Sequence, residues 1–330
     1  MNRTPLRPAL SALLRGCIDK ETRAPPSDPP SPKKLSPSAQ EHGTNPPPPA
    51  YLLSHPKPEG ALMRLSALVP CAALLAVLPL GAQSFSTHPC ASDDDHGGTL
   101  SHWFNGEQAC EVRATTFSLV NGHINVNSMN GGIEVIGQDR QDVALEARVS
   151  AHSGSQSEAE SMLKEITIET GATVEAHGPH TFGNHNWSVG YKLLAPRQLA
   201  GKFHTMNGGL ELSGIHGDIQ GETTNGGLHI ENLGGNVNVS TTNGGIKANL
   251  DGPTWQGSGL TASTTNGGVS VKLPSNYSAH LVASTTNGGT ALNLPNANQD
   301  GVHRHSIDTN LGSGGPTISF ETTNGGVSID

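Results

Sequence analysis

Residues 223–231 read Thr-Thr-Asn-Gly-Gly-Leu-His-Ile-Glu, and residues 241–249, eighteen positions on, read Thr-Thr-Asn-Gly-Gly-Ile-Lys-Ala-Asn. Each copy sets two glycines ahead of an apolar–polar–apolar triplet. Apolar residues two apart share one face of a strand, whereas a helix would need spacings of three and four. Asn and Gly tolerate the positive φ that a tight corner needs, and a β-branched residue resists it. The stretch therefore reads as one corner followed by one short, half-buried strand.

Working outward, Asn-Gly-Gly recurs at Asn130, Asn207, Asn225, Asn243, Asn266, Asn287 and Asn324, with Thr-Thr before the last five. The spacing from 207 to 243 is 18 twice, then 23, 21 and 37, so insertions interrupt a regular period. A finer period lies inside it. Nine residues after Asn225 comes Gly234, with Val237 and Val239 at the offsets of Leu228 and Ile230. Nine before Asn225 lies His216, followed by Ile219, and Asn121 with Ile124 and Val126 precedes Asn130 with Ile133 and Val135. The unit is a nine-residue half-coil, and two make a coil.

Stacked coils would form an all-β, parallel β-solenoid with strands about 4.8 Å apart. One inner rung would run Leu210, Leu228, Ile246, Val269, Val327, and the next Leu212, Ile230, Ala248, Val271, Leu292, Ile329. A hairpin meander is the competing reading of Asn-Gly. It gives no reason for identical corners to keep an 18-residue spacing, so the solenoid is preferred. The asparagines would form a structural turn ladder, hydrogen-bonding from coil to coil, and the threonines a hydroxyl ladder of their own.

One segment leaves the pattern. Between Ser153 and Ile168, Ala159, Met162, Leu163 and Ile166 fall at helical spacing behind the cap-like Ser155 and Ser157. This predicts a short amphipathic helix near 155–166. Gly171 to Lys192, rich in His, Gly and Asn, reads as a long loop.

The N-terminal part differs in kind. Residues 1–62 hold 14 of the 23 prolines and read as a disordered leader, or as an over-extended start of the open reading frame. Met63-Arg64, an apolar run from Leu65 to Leu80 and small residues Gly81-Ala82 give residues 63–82 the pattern of a signal peptide, with an uncleaved membrane segment as the alternative. Residues 83–330 carry 10 Lys+Arg against 23 Asp+Glu, a balance of −13. Such a surface is a poor match for nucleic acid. Membrane contact would run only through the N-terminal segment, if that segment is uncleaved.

Export would leave Cys90 and Cys110 as the two cysteines of the mature chain, in a segment spanning 83–111. In an oxidising compartment two cysteines pair or remain as buried thiols. A bridge would close a loop of roughly 20 residues, worth about 3 kcal/mol on the chain-entropy model, and would staple Trp103 and Phe104 near the start of the fold.

The signal-like segment, early strands, one Ser/Glu-rich helix and repeated Thr-Thr-Asn-Gly-Gly motifs with apolar-x-apolar continuations resemble the bacterial putative-adhesin family over residues 112–330. The resemblance implies an exported β-solenoid domain at the periplasm, cell envelope or cell surface. It supplies no catalytic residues. The His-rich insert at 177–185 departs from it.

Calcium-binding β-rolls need G-G-x-G-x-D; here Gly226-Gly227-Leu228-His229-Ile230-Glu231 lacks the third glycine and the aspartate, and Asn249 and Lys272 stand where Glu231 would recur. His177, His180 and His185 share one segment, His303 and His305 would share a strand face, and Asp93-Asp94-Asp95-His96 is acidic, but none has the converging form of a zinc site. No nucleophile elbow, P-loop or dinucleotide fingerprint occurs. The reading is a non-enzymatic, cofactor-free envelope protein that meets an envelope protein or surface polymer through its flat polar faces. One alternative is a β-helical carbohydrate-active enzyme using Glu134, Glu211 or Glu231. The other is a metal-binding envelope protein using the 177–185 insert.

Overall fold

A computed structural model describes residues 84–90, 107–295 and 297–330. The leader, the signal-like segment, Asp93–His96, Trp103 and Phe104 lie outside the described residues. The elements begin with β1 (Ser86–Pro89), β2 (Glu107–Ser118), β3 (His123–Asn130), β4 (Ile133–Gln138), β5 (Asp142–Ser153) and α1 (Gln156–Glu165). They continue with β6 (Thr167–Glu169), β7 (Thr173–His177), β8 (Asn186–Pro196), β9 (Ala200–Asn207), β10 (Leu210–Ser213), β11 (His216–Asn225) and β12 (Leu228–Glu231). Then come β13 (Gly234–Asn243), β14 (Ile246–Asn249), β15 (Gly259–Asn266), β16 (Val269–Lys272), β17 (Ala279–Asn287) and β18 (Thr290–Leu292). The chain closes with β19 (Ser306–Leu311), β20 (Thr317–Asn324) and β21 (Val327–Ile329).

The fold is a flattened, largely parallel β-solenoid. Each regular coil gives one long strand to a first sheet, turns at Asn-Gly-Gly, and gives one short strand to a second. The long-strand sheet has the order β19-β17-β20-β15-β13-β11-β9-β3-β7-β6, and the short-strand sheet β1-β2-β5-β8-β4-β10-β12-β14-β16-β21-β18. The predicted rungs fill the space between them. Leu210, Leu228 and Ile246 stand in parallel register, as do Leu212, Ile230 and Ala248, and all are buried. Burying each Leu or Ile contributes roughly 1.5–3 kcal/mol. Phe203 is accommodated because its neighbours in register and in sequence are small: a Cβ at Gly201 would press on its ring, and one at Gly221 would press on Leu210 and Val239.

Chain order and spatial order part at both ends. The last coil, β20–β21, lies between β15–β16 and β17–β18, so Val327 adjoins Val269 and Ile329 precedes Leu292 along the rung. The cause is β19. It runs antiparallel to β17 along the outer edge of the sheet, and the chain then reverses through Gly312, Gly314 and Gly315, all at positive φ, into the place beside β17. At the other end, β7 and β8 stack outside β3 and β4, and β5, β2 and β1 extend the short-strand sheet antiparallel. The segment read as a loop from 171 to 192 thus holds two strands, and only its middle, around 178–185, is a connection.

The helix spans Gln156–Glu165, with Ser155 as N-cap accepting from the Glu158 amide and with Ala159, Met162 and Leu163 buried. Arg113 on β2 closes its far end, donating to the carbonyl oxygens of Leu163 (2.6 Å) and Ile166. His303 and His305 sit in a tight return before β19, not on a strand. There the Thr290 amide and hydroxyl donate to the carbonyls of Arg304 and His303, covering the edge of β18. Among the described residues no helix is long and apolar enough to cross a membrane.

Candidate functional site

The corner sets the site. Each Asn-Gly-Gly has two glycines with different surroundings. A Cβ on the first (Gly131, Gly208, Gly226, Gly244, Gly267, Gly288 or Gly325) would lie under 3.0 Å from a backbone carbonyl of the adjoining coil. Except at Gly131, these glycines lie outside the left-handed region, as do the asparagines before them. Positive φ is therefore not what the corner demands; close approach of neighbouring coils is. The same carbonyls are held by the first threonine of each motif. Thr205, Thr223, Thr241, Thr264, Thr322 and Thr285 donate to Gly131, Gly208, Gly226, Gly244, Gly267 and Gly325 at 2.7–2.9 Å. The threonines bond across to backbone and do not form a ladder among themselves.

The asparagine amides run along the outside of this seam. Asn207 donates to Asn130, Asn225 to Asn207, Asn243 to Asn225, Asn266 to Asn243, Asn324 to Asn266 and Asn287 to Asn324, at 2.8–2.9 Å. Cys90 and Cys110 are joined by a disulfide, with Cα atoms 5.7 Å apart, at the end of the β1–β2 pair. Both features are architectural.

The second glycine behaves otherwise. A Cβ on Gly132, Gly209, Gly227, Gly245, Gly268, Gly326 or Gly289 would meet its nearest neighbour at 3.2–3.8 Å, and none of the seven has a positive φ. Backbone conformation forbids a side chain at none of them. At Gly209, Gly227, Gly268 and Gly289 the contact would be an ordinary 3.4–3.8 Å, whereas at Gly132, Gly245 and Gly326 a backbone carbonyl stands at a tight 3.2–3.3 Å. Alternation points all seven outward from the short-strand sheet, in a row that Gly190 of β8 continues and Arg148 of β5 ends. Two residues on, a second outward row runs Glu146, Lys192, Glu134, Glu211, His229, Lys247, Ser270.

Between them lies a groove of about 1260 Å³, from Val112 to Ser270, floored by glycine and walled by charges of both signs. It crosses eight strands, roughly 34 Å at 4.8 Å per step. Lys192 and Glu134 form an ion pair at 3.2 Å, whereas Glu146, Arg148, Glu211 and Lys247 have no ion-pair partner among the described residues. His229 Nε2, beside the groove, and Tyr191 Oη, on the inward side of β8, are buried with no hydrogen-bond partner among the described residues. Native folds rarely leave such atoms unmatched. Burial, with the nearby Glu175 charge, pushes the Tyr191 phenol far above its ordinary ionisation range.

Other groupings are less site-like. Glu134 and Glu211 are brought together by register, but Glu231 lies a row away, beside Asn249 and then Lys272, so no carboxylates stack there. His177 faces Glu169 at 3.6 Å and His185 faces Ser153 at 3.3 Å, so the insert's imidazoles have separate partners. Ser153 also donates to Glu158, and this bond, with Ser155 and the His185 field, lowers the Glu158 pKa. His280 bridges Asp308 (2.9 Å) and Thr317 (3.3 Å) on the open face of the long-strand sheet, where water weakens any charge stabilisation. Among the described residues no three His, Cys, Asp or Glu side chains gather as a metal site. Sequence reasoning missed Arg148, Glu146, Lys192 and Tyr191, because β5 and β8 lie outside the repeat. Gly190-Tyr-Lys echoes Gly132-Ile-Glu and was the one available signal.

Comparison with known proteins follows the fold. The family model described as Toastrack DUF4097 matches residues 124–330. Among solved structures, a "putative cell adhesion protein" from Clostridium sporogenes is 14% identical, covering 68% of this chain and 98% of its own, with a TM-score of 0.35. A "putative adhesin" from Bacteroides fragilis is 12% identical, covering 66% and 97%, at 0.31. A "putative lipid binding protein" from Parabacteroides distasonis is 10% identical, covering 67% and 96%, at 0.27. No curated protein matches the chain.

Proposed function

This chain belongs to the Toastrack DUF4097 family, and on that footing we propose that it is an exported, non-enzymatic binding module of the cell envelope. It takes an extended partner, a surface polymer or the arm of an envelope protein, along the glycine-floored groove. The observation that carries this reading is the glycine floor: at Gly190, Gly209, Gly227 and Gly268 a side chain has room and none is present. A bare floor beside a wall carrying both signs of charge accepts a linear ligand laid along the solenoid axis. Exposed repetitive faces of solenoids serve this kind of contact.

The test is binding of the purified full chain to isolated envelope of its source cells. Wild type is expected to co-sediment, and a Gly190→Gln/Gly209→Gln/Gly227→Gln variant that melts normally is expected to remain in solution. Equal sedimentation of the two would reject the groove as the contact surface.

A second reading has one specific support. Glu134 and Glu211 stand side by side in the groove, and a carboxylate pair is what glycoside cleavage uses. Glu134 is tied to Lys192, which ill suits a proton donor. Release of reducing ends from source-cell polysaccharide, abolished by Glu211→Gln, would establish the enzyme; release unaffected by that change would remove it.

A further inference from the structure

Five of the seven corners place Thr before Asn (Thr224, Thr242, Thr265, Thr286 and Thr323), and two place Met (Met129 and Met206). The exceptions are adjacent. Asn130 and Asn207 are in register on β3 and β9, and the Asn207 amide also donates to the Met129 carbonyl at 3.4 Å. Both thioethers are open to water, Met129 at 64% and Met206 at 44% exposure. Beyond residue 63 the chain has one other methionine, Met162, which is buried under the helix. His204 lies two residues before Met206 on the same outward face of β9, since Thr205 between them is buried. Met129 also borders a cavity of about 400 Å³ under the His-rich insert, shared with His177, His180 and Trp187.

Two neighbouring thioethers and one diagonal imidazole form a soft donor set. We propose that Met129, Met206 and His204 bind one Cu(I) ion. Thioether sulfur favours Cu(I) over Zn(II), Ca(II) or Mg(II), which prefer imidazole, thiolate or oxygen. A Met side chain has three rotatable bonds, so two sulfurs on strands about 4.8 Å apart can converge on one ion, and a residue two positions along the strand reaches the same point. An outward Met pair at this point breaks the repeat without serving the core, and a ligand role accounts for that.

The proposal is tested by anaerobic Cu(I) titration of the full chain against a chromophoric Cu(I) chelator. One equivalent is expected to be withheld from the chelator, with sulfur scatterers in the copper X-ray absorption spectrum. A Met129→Thr/Met206→Thr variant restores the residue that the other corners carry, so it is expected to melt like wild type. It should lose affinity by about 100-fold or more, and His204→Asn by about 10-fold or more. Failure of the wild type to withhold Cu(I), unchanged affinity in the double variant, or a first shell without sulfur would each overturn the site.

Discussion

The two glycines of each Asn-Gly-Gly corner are neighbours in sequence and opposites in role. The first is fixed by the stack: a Cβ at Gly226 would intrude on the Gly208 carbonyl, which already accepts the Thr223 hydroxyl at 2.8 Å. The second is not. A Cβ at Gly227 would rest 3.6 Å from the Gly245 carbonyl, an ordinary contact. The same residue type thus answers two demands, coil packing on the inside of the turn and an open floor on the outside. A repeated motif is not one constraint repeated; each position must be asked separately what a side chain would touch.

The sharpest way to break this contrast is Gly226→Ala. Overpacking against backbone that cannot yield should cost about 3 kcal/mol or more, read as a drop in the denaturation midpoint; a loss under 1 kcal/mol would dissolve the distinction. Thr223→Val keeps the shape and leaves the Gly208 carbonyl without its hydroxyl donor, so about 1–2 kcal/mol should go. Asn225→Ala removes an amide that links to Asn207 and Asn243 at 2.9 Å each, but on an exposed face. About 0.5–1 kcal/mol is expected by urea unfolding. The smallest effect belongs to Gly227→Ala. Stability should stay within about 0.5 kcal/mol of wild type and can rise, because alanine restricts the unfolded chain.

Much of this was legible in the sequence. Apolar residues at fixed offsets from each asparagine gave the inner rungs, and the cap at Ser155 with Met162 and Leu163 gave the helix. Three things were not. Turn residues suggest a demand for positive φ, but steric approach between coils decides the glycine, and approach is a property of the stack that no single turn displays. Sequence order, the natural order for a repeat, puts the last coil at the end. The β17–β19 hairpin reverses the chain and reseats that coil, through long-range pairing of Ala279 with Leu311 that local pattern does not record. The charged row was half visible: Glu211, His229 and Lys247 recur with the period, whereas Arg148, Glu146 and Lys192 arrive from strands that do not repeat.

The central claim is that the second glycines serve binding and the first serve the fold. It is tested most directly by measuring melting temperature and envelope co-sedimentation together on two matched variants, Gly190→Gln/Gly209→Gln/Gly227→Gln and the first-row change Gly226→Ala. The account predicts that the second-row variant melts within a few degrees of wild type and no longer sediments with envelope, while the first-row variant melts well below wild type. A second-row variant that unfolds, or one that stays folded and still sediments, would contradict it.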